Sequence, residues 1–173
     1  MTPRLTPATV LTVGRMVLAL PIAWSITANA QWVAVGLLLL ATATDFLDGY
    51  LARARNEVTA LGATLDPIAD KLIAVAVLLS LAAVGTLEGV HLLAALAILL
   101  RETLVSGLRE SASALGGLPV TALAKVKTTA QFVAFILLCA GPSTIGLGLL
   151  WVAAALTLYT GAQYLIRWWA SQS

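Results

Sequence analysis

The chain has 173 residues, of which 60% are hydrophobic and 10% charged, with a mean hydropathy of +0.97 and a formal net charge of +2. Values this apolar exclude an ordinary soluble globular domain, and a small net charge without a basic-aromatic patch excludes nucleic acid as a partner. A single cysteine, Cys139, excludes an intrachain disulfide and reads as a small buried hydrophobe.

Repeated apolar runs of bilayer length indicate a polytopic membrane protein. The first predicted helix covers roughly Leu11 to Ala28 and holds Arg15 and Pro21; Thr6, Thr9 and Thr12 are candidate caps for its start. Arg4, the apolar stretch and Ala28-Asn29-Ala30 imitate a secretory signal, but Arg15 interrupts the apolar region such a signal needs, so the segment reads as retained. After a polar break at Asn29–Gln31, a second helix runs from Trp32 to about Arg55, and residues 54–60 form a short connector. The third ends near Val84; it either begins at Pro67 with Asp66 as its cap, or begins near Leu61 and is kinked at Pro67. Gly85 to Gly89 make a turn, and a fourth helix covers about Val90 to Ala114 before Gly116-Gly117-Leu118-Pro119 breaks it. Thr121–Lys127 leads into a fifth that ends near Ala140, and a sixth runs from about Thr144 to Trp168. The predicted fold class is all-α: six transmembrane helices in a single domain, 1–173.

Orientation follows from the basic residues. Arg4, Arg53, Arg55, Arg109, Lys125, Lys127 and Arg167 fall at the N-terminus, the second and fourth connections and the C-terminus, while the other connections carry no Lys or Arg. Both termini are expected on the cytoplasmic side of the cell (inner) membrane.

The stretch from Asp45 to Asp70 carries the chemistry. Asp45, Asp48, Asp66 and Asp70 are four of the eight acidic residues in the protein, and each lies in or beside an apolar segment. An ionised carboxylate in hydrocarbon costs about 2.5–3.5 kcal/mol even on the lenient insertion scale, so four require partners. Asp45, Asp48, Gly49 and Ala52 are three or four apart and share one helical face, as do Gly62, Asp66 and Asp70 on the next segment. Two such faces brought together would gather four carboxylates, which must share protons or cations. Oxygen-only ligands favour Mg²⁺ or Mn²⁺ over zinc. The small residues on these faces would admit a ligand close to the helix backbone, or simply let helices pack.

Asp45-x₂-Asp48-Gly49-x₂-Ala52-Arg53-x₈-Gly62-x₃-Asp66-x₃-Asp70 resembles, at every position, the signature of the CDP-alcohol phosphotransferases. Arg101-Glu102 to Arg109-Glu110, and Lys125-Val126-Lys127-Thr128-Thr129-Ala130-Gln131, are similar to stretches of the bacterial phosphatidylglycerophosphate synthases within that family. Thr9-x₂-Thr12-x₂-Arg15 is similar to an Asn-x₂-Thr-x₂-Arg stretch of many members, with Thr9 in place of the Asn. The resemblance implies transfer of a phosphatidyl group from CDP-diacylglycerol to glycerol 3-phosphate with release of CMP. It implies two divalent cations, Mg²⁺ or Mn²⁺, on Asp45, Asp48 and Asp66, with Asp70 contributing to the metal centre and acting as the catalytic base. It further implies a cytidine site lined by Gly49, Ala52 and Gly62 with Arg53 nearby, a homodimer, and membrane lipid around the chain.

That chemistry accounts for the residue types. The donor's diphosphate must be neutralised before an alcohol can attack, and the alcohol must lose its proton to a nearby carboxylate. The acceptor phosphate needs cationic partners, for which Arg109, Lys127, Arg101 and Lys125 are the candidates, although positive-inside topology also places bases there. Glu102 and Glu110 read as partners of those bases, and His91 as incidental. A membrane cation or proton transporter would spread its acids along a pathway, whereas these cluster at one end. An intramembrane prenyltransferase resembles longer chains with differently spaced acids. Another acceptor within the family, such as inositol phosphate or serine, is the closer rival.

Overall fold

A computed structural model describes residues 7–55, 60–113 and 122–170, with the side chains at 7, 8, 48–55, 60–64, 108–113, 122, 124, 125, 167 and 170 outside that description. The described residues form six helices and no strands: α1 (Pro7–Thr27), α2 (Gln31–Arg55), α3 (Ala60–Ala83), α4 (His91–Ser113), α5 (Ala122–Ala140) and α6 (Thr144–Ala170). The described residues are thus all-α, as the apolar runs predict. By length and composition, Thr9–Thr27 and Thr144–Ile166 could each cross a membrane.

The chain divides into two compact units, Met1–Val84 and Gly85–Ser173. In the first, α1 packs against both α2 and α3. Its interior is formed by Ile22, Leu38, Ile73, Val77 and Ala69, all at most 1% exposed. The turn from α1 to α2 is made by Asn29, whose φ of 56° is one that Asn adopts more readily than most side-chain-bearing residues. The Ala30 N–H donates to the Ser25 carbonyl at 2.8 Å and the Asn29 N–H to that of Ile26 at 3.1 Å. These two bonds satisfy carbonyls left over at the helix end, the Schellman pattern, with Asn replacing the usual Gly.

In the second unit α6 packs against α4 and α5 around Ile98, Phe135, Leu138 and Leu150. Ser143 caps α6 by accepting the Gly146 N–H at 3.0 Å. A Cβ on Gly146 would lie 3.1 Å from the Leu138 side chain, so this glycine permits the close approach of α5. Cys139 is buried, as its apolar setting predicts.

One expectation is revised. Thr9 and Thr12 do not cap α1: the helix already includes Pro7, whose fixed φ suits a first turn, so both threonines lie inside it and are buried. Thr6 lies outside the described residues. Of the two readings of Pro67, the structure takes the second: α3 starts at Ala60, beside the expected Leu61, and continues through the proline. His91, at the start of α4, accepts the indole N–H of Trp151 at its Nδ1 at 3.1 Å.

Candidate active site

The first unit builds its polar centre from three helices. Asp66 and Asp70 are one turn apart on α3, so both point the same way. Asp45 enters from α2 and Arg15 from α1. The Arg15 guanidinium pairs with Oδ1 of Asp45, with Oδ1 of Asp66 at 3.3 Å and with Oδ1 of Asp70 at 3.4 Å. One turn before Arg15, the Thr12 hydroxyl donates to the same Asp66 oxygen at 2.8 Å. Arg15 is 1% exposed, whereas the aspartates are 52%, 47% and 47% exposed. A buried cation therefore sits beneath three carboxylates whose outer sides remain open.

Among the described contacts, three carboxylates face one guanidinium, so the cluster is rich in acids. An all-carboxylate donor set suits a hard divalent cation. Among the described residues, no three His, Cys, Asp or Glu side chains are grouped tightly enough to hold a metal alone. The acids meet through Arg15, and the Asp48 side chain lies outside the described residues. The donor chemistry fits a cation that engages the carboxylates from their open side. Gly49, Ala52 and Arg53 lie in the last two turns of α2 and Gly62 in the first turn of α3; their side-chain positions also fall outside the described residues.

The second unit holds a buried basic cluster. Arg101 on α4 donates from Nη1 to Glu102 at 3.2 Å and from Nη2 to the Thr160 hydroxyl of α6 at 3.2 Å, and lies 5.8 Å from the centre of the Tyr164 ring. That ring distance is within cation–π range. Lys127 of α5 donates to the same Glu102 oxygen. Glu102 therefore pairs with the bases, as its position predicts, and one carboxylate serves two cations. Gly161 makes the arrangement possible, because a Cβ there would meet Arg101 Cγ at 2.9 Å. Gln131 Oε1, Thr157 Oγ1 and Arg101 Nε are buried in this unit without a hydrogen-bond partner among the described residues. Such atoms ordinarily find a protein, water or ligand partner. The Arg109 and Lys125 side chains lie outside the described residues.

Arg15 and Thr12 are the site residues that motif reading missed as contacts. The available signal was their spacing: Thr9, Thr12 and Arg15 recur every third residue along an otherwise apolar helix, which puts a polar stripe on one face.

A family model of CDP-alcohol phosphatidyltransferases matches residues 5–159. The chain is 41% identical over 144 residues to the CDP-diacylglycerol–glycerol-3-phosphate 3-phosphatidyltransferase of Rickettsia bellii, covering 78% of each. It is 37% identical over 178 residues to the protein of the same name from Cereibacter sphaeroides, covering 78% of this chain and 80% of that one. In fold it resembles the phosphatidylinositol phosphate synthase of Mycobacterium tuberculosis. With CDP-DAG bound, that structure has a TM-score of 0.73 at 20% identity, covering 95% of this chain and 87% of that one. In complex with manganese and citrate, it has a TM-score of 0.71 at 20% identity, covering 95% and 83%. With three of the motif's four aspartates gathered around Arg15 and these similarities along most of its length, the chain belongs to the CDP-alcohol phosphatidyltransferase family.

Proposed function

We propose that the protein transfers the phosphatidyl group of CDP-diacylglycerol to glycerol 3-phosphate, releasing CMP and forming phosphatidylglycerophosphate. The observation that carries this reading is the convergence of Asp45, Asp66 and Asp70 on one acid-rich centre, in a chain about 40% identical to enzymes named for that reaction. Asp45, Asp48, Asp66 and Asp70 would hold two divalent cations, Mg²⁺ or Mn²⁺; a protein of the same fold is known in complex with manganese. When bound, these ions would neutralise the donor diphosphate and the charge that develops on departing CMP.

The remaining chemistry falls to the chain. Asp70, a full turn beyond Asp66, accepts the proton of the attacking acceptor hydroxyl. A new P–O bond then forms at the phosphorus bearing the lipid, and the bond from that phosphorus to CMP breaks. Gly49, Ala52 and Gly62, with Arg53, would bind the cytidine part of the donor, the small residues leaving space against the helix backbone. Lys127, Arg101, Arg109 and Lys125 would bind the acceptor phosphate. The orphaned polar atoms of Gln131 and Arg101 support a ligand near Lys127, because each would otherwise cost about 1–3 kcal/mol.

The same reading takes the chain as one membrane domain of six spans. Both termini and the aspartates would face the cytoplasm at the inner membrane, where nucleotides and Mg²⁺ are found. Exposed Leu20, Trp24, Leu93, Leu100, Ile145 and Ile166, set against buried Thr, Ser and Arg side chains, support lipid as the surrounding solvent. The protein is further proposed to be a homodimer. An acceptor panel with purified protein tests the assignment: CMP release and phosphatidylglycerophosphate are expected with glycerol 3-phosphate. A preference for inositol phosphate or serine would overturn the acceptor, and no release with any acceptor would overturn the reaction.

A further inference from the structure

Arg15 is an unusual residue for its place. It lies in an apolar helix, is 1% exposed, and reaches three carboxylates from two other helices. Its guanidinium spreads one positive charge over a planar fork that remains beside the carboxylates when another cation approaches. Its partners are Oδ1 atoms of Asp45, Asp66 and Asp70, three of the four aspartates read above as cation ligands. Thr12 adds a further donor to the Asp66 oxygen, so that atom already accepts two hydrogen bonds. A divalent ion engaging these carboxylates meets a fixed positive charge beneath them and competes for the same lone pairs.

We propose that Arg15 is a built-in counter-cation that lowers the intrinsic affinity of the aspartate centre for divalent ions and thereby ties metal loading to arrival of the anionic donor. This rests on the reading of the aspartates as cation ligands. Without Arg15, the carboxylates repel one another unless protonated or metal-bound, so the unloaded protein is unstable and the ion binds tightly by itself. With Arg15 present, the unloaded centre is held together and a lone ion gains less. The diphosphate of CDP-diacylglycerol supplies the negative charge that offsets Arg15 plus the metals. Ion and donor therefore raise each other's affinity, as linkage requires. Arg15 acts through the aspartates and is a positioning residue.

The test is Mn²⁺ binding to the purified full chain, by titration calorimetry or by the free-ion electron paramagnetic resonance signal, together with thermal midpoints in chelator. For Arg15→Gln the dissociation constant for Mn²⁺ alone is expected to tighten about 10-fold or more. The midpoint in chelator should fall, and Mn²⁺ should raise it by more than in the wild type. CDP-diacylglycerol should tighten Mn²⁺ binding about 10-fold in the wild type and markedly less in the variant. Arg15→Lys keeps one charge but cannot fork across several carboxylates; its Mn²⁺ affinity should fall between the two and serves as the reading if the glutamine variant does not purify. A wild type that binds Mn²⁺ while both variants bind it equally or more weakly overturns this proposal alone. A wild type that binds no Mn²⁺, with or without the donor, overturns the reading of the aspartates as well.

Discussion

Replacing Lys127 with methionine separates acceptor binding from the rest of the reaction. Its side chain is 6% exposed and its ammonium pairs with Glu102, whose side chain is 21% exposed and also bound by Arg101 at 3.2 Å. Removing one member of a fully buried ion pair costs about 3–5 kcal/mol. Glu102 keeps a second base and some solvent, so the stability loss here should be about 1–3 kcal/mol, or roughly 2–12 °C in the thermal midpoint for a chain of this size. A charge-assisted bond from Lys127 to the acceptor phosphate is worth about 1.5–3 kcal/mol, which is about 10- to 150-fold in affinity. Steady-state CMP release, measured with each substrate varied in turn, should show KM for glycerol 3-phosphate rising by that factor while KM for CDP-diacylglycerol stays within about threefold. Lys127→Arg should recover part of the loss. Equal rises in both KM values, or an unchanged acceptor KM in folded protein, would refute the assignment of Lys127 to the acceptor phosphate.

Asp70→Asn should purify as folded protein yet lose about 10²–10⁴-fold in the rate of CMP release, the range for a removed general base; a loss under tenfold would exclude that role. Thr12→Val deletes the 2.8 Å bond to the half-exposed Asp66 and should cost about 1 kcal/mol, read as a fall of a few degrees in thermal midpoint. No change there would mean that the hydroxyl contributes nothing to the cluster. Gly161→Leu forces its side chain into Arg101, 2.9 Å from the ideal Cβ, and should destabilise by about 1–3 kcal/mol. In an Arg101→Ala background that cost should largely disappear, and a purely additive double-mutant cycle would show that the two residues do not oppose each other.

Helix positions were legible because apolar runs and their Gly, Pro and Asn breaks carry most of the information in this chain. Asn29 and Gly85 both adopt positive φ at turns that the composition already marked. The motif spacing likewise placed Asp66 and Asp70 on one face of α3. What was not legible depended on contacts between helices. Arg15 read as an interruption of an apolar span, yet its charge is stabilised by carboxylates 51 and 55 positions away in sequence. Thr9 and Thr12 looked like caps because Ser and Thr often start helices, but Pro7 already lies within the first turn. Pro67 left two readings open, a helix start or an interruption within a helix, because a proline suits either place; α3 starts at Ala60 and runs on through it. The partner of Glu102 was legible only as a class, since the sequence offered several bases and the fold selected Arg101 and Lys127.

The central claim is that the aspartates of α2 and α3 clamp a metal-loaded nucleotide–lipid. Anomalous diffraction at the manganese edge, from crystals grown with Mn²⁺ and CDP-diacylglycerol, bears on it most directly. The account predicts two manganese peaks within bonding distance of carboxylate oxygens from Asp45, Asp48, Asp66 and Asp70, with the donor's diphosphate on their open side. Clear density for the bound donor without manganese between those two helices would contradict it.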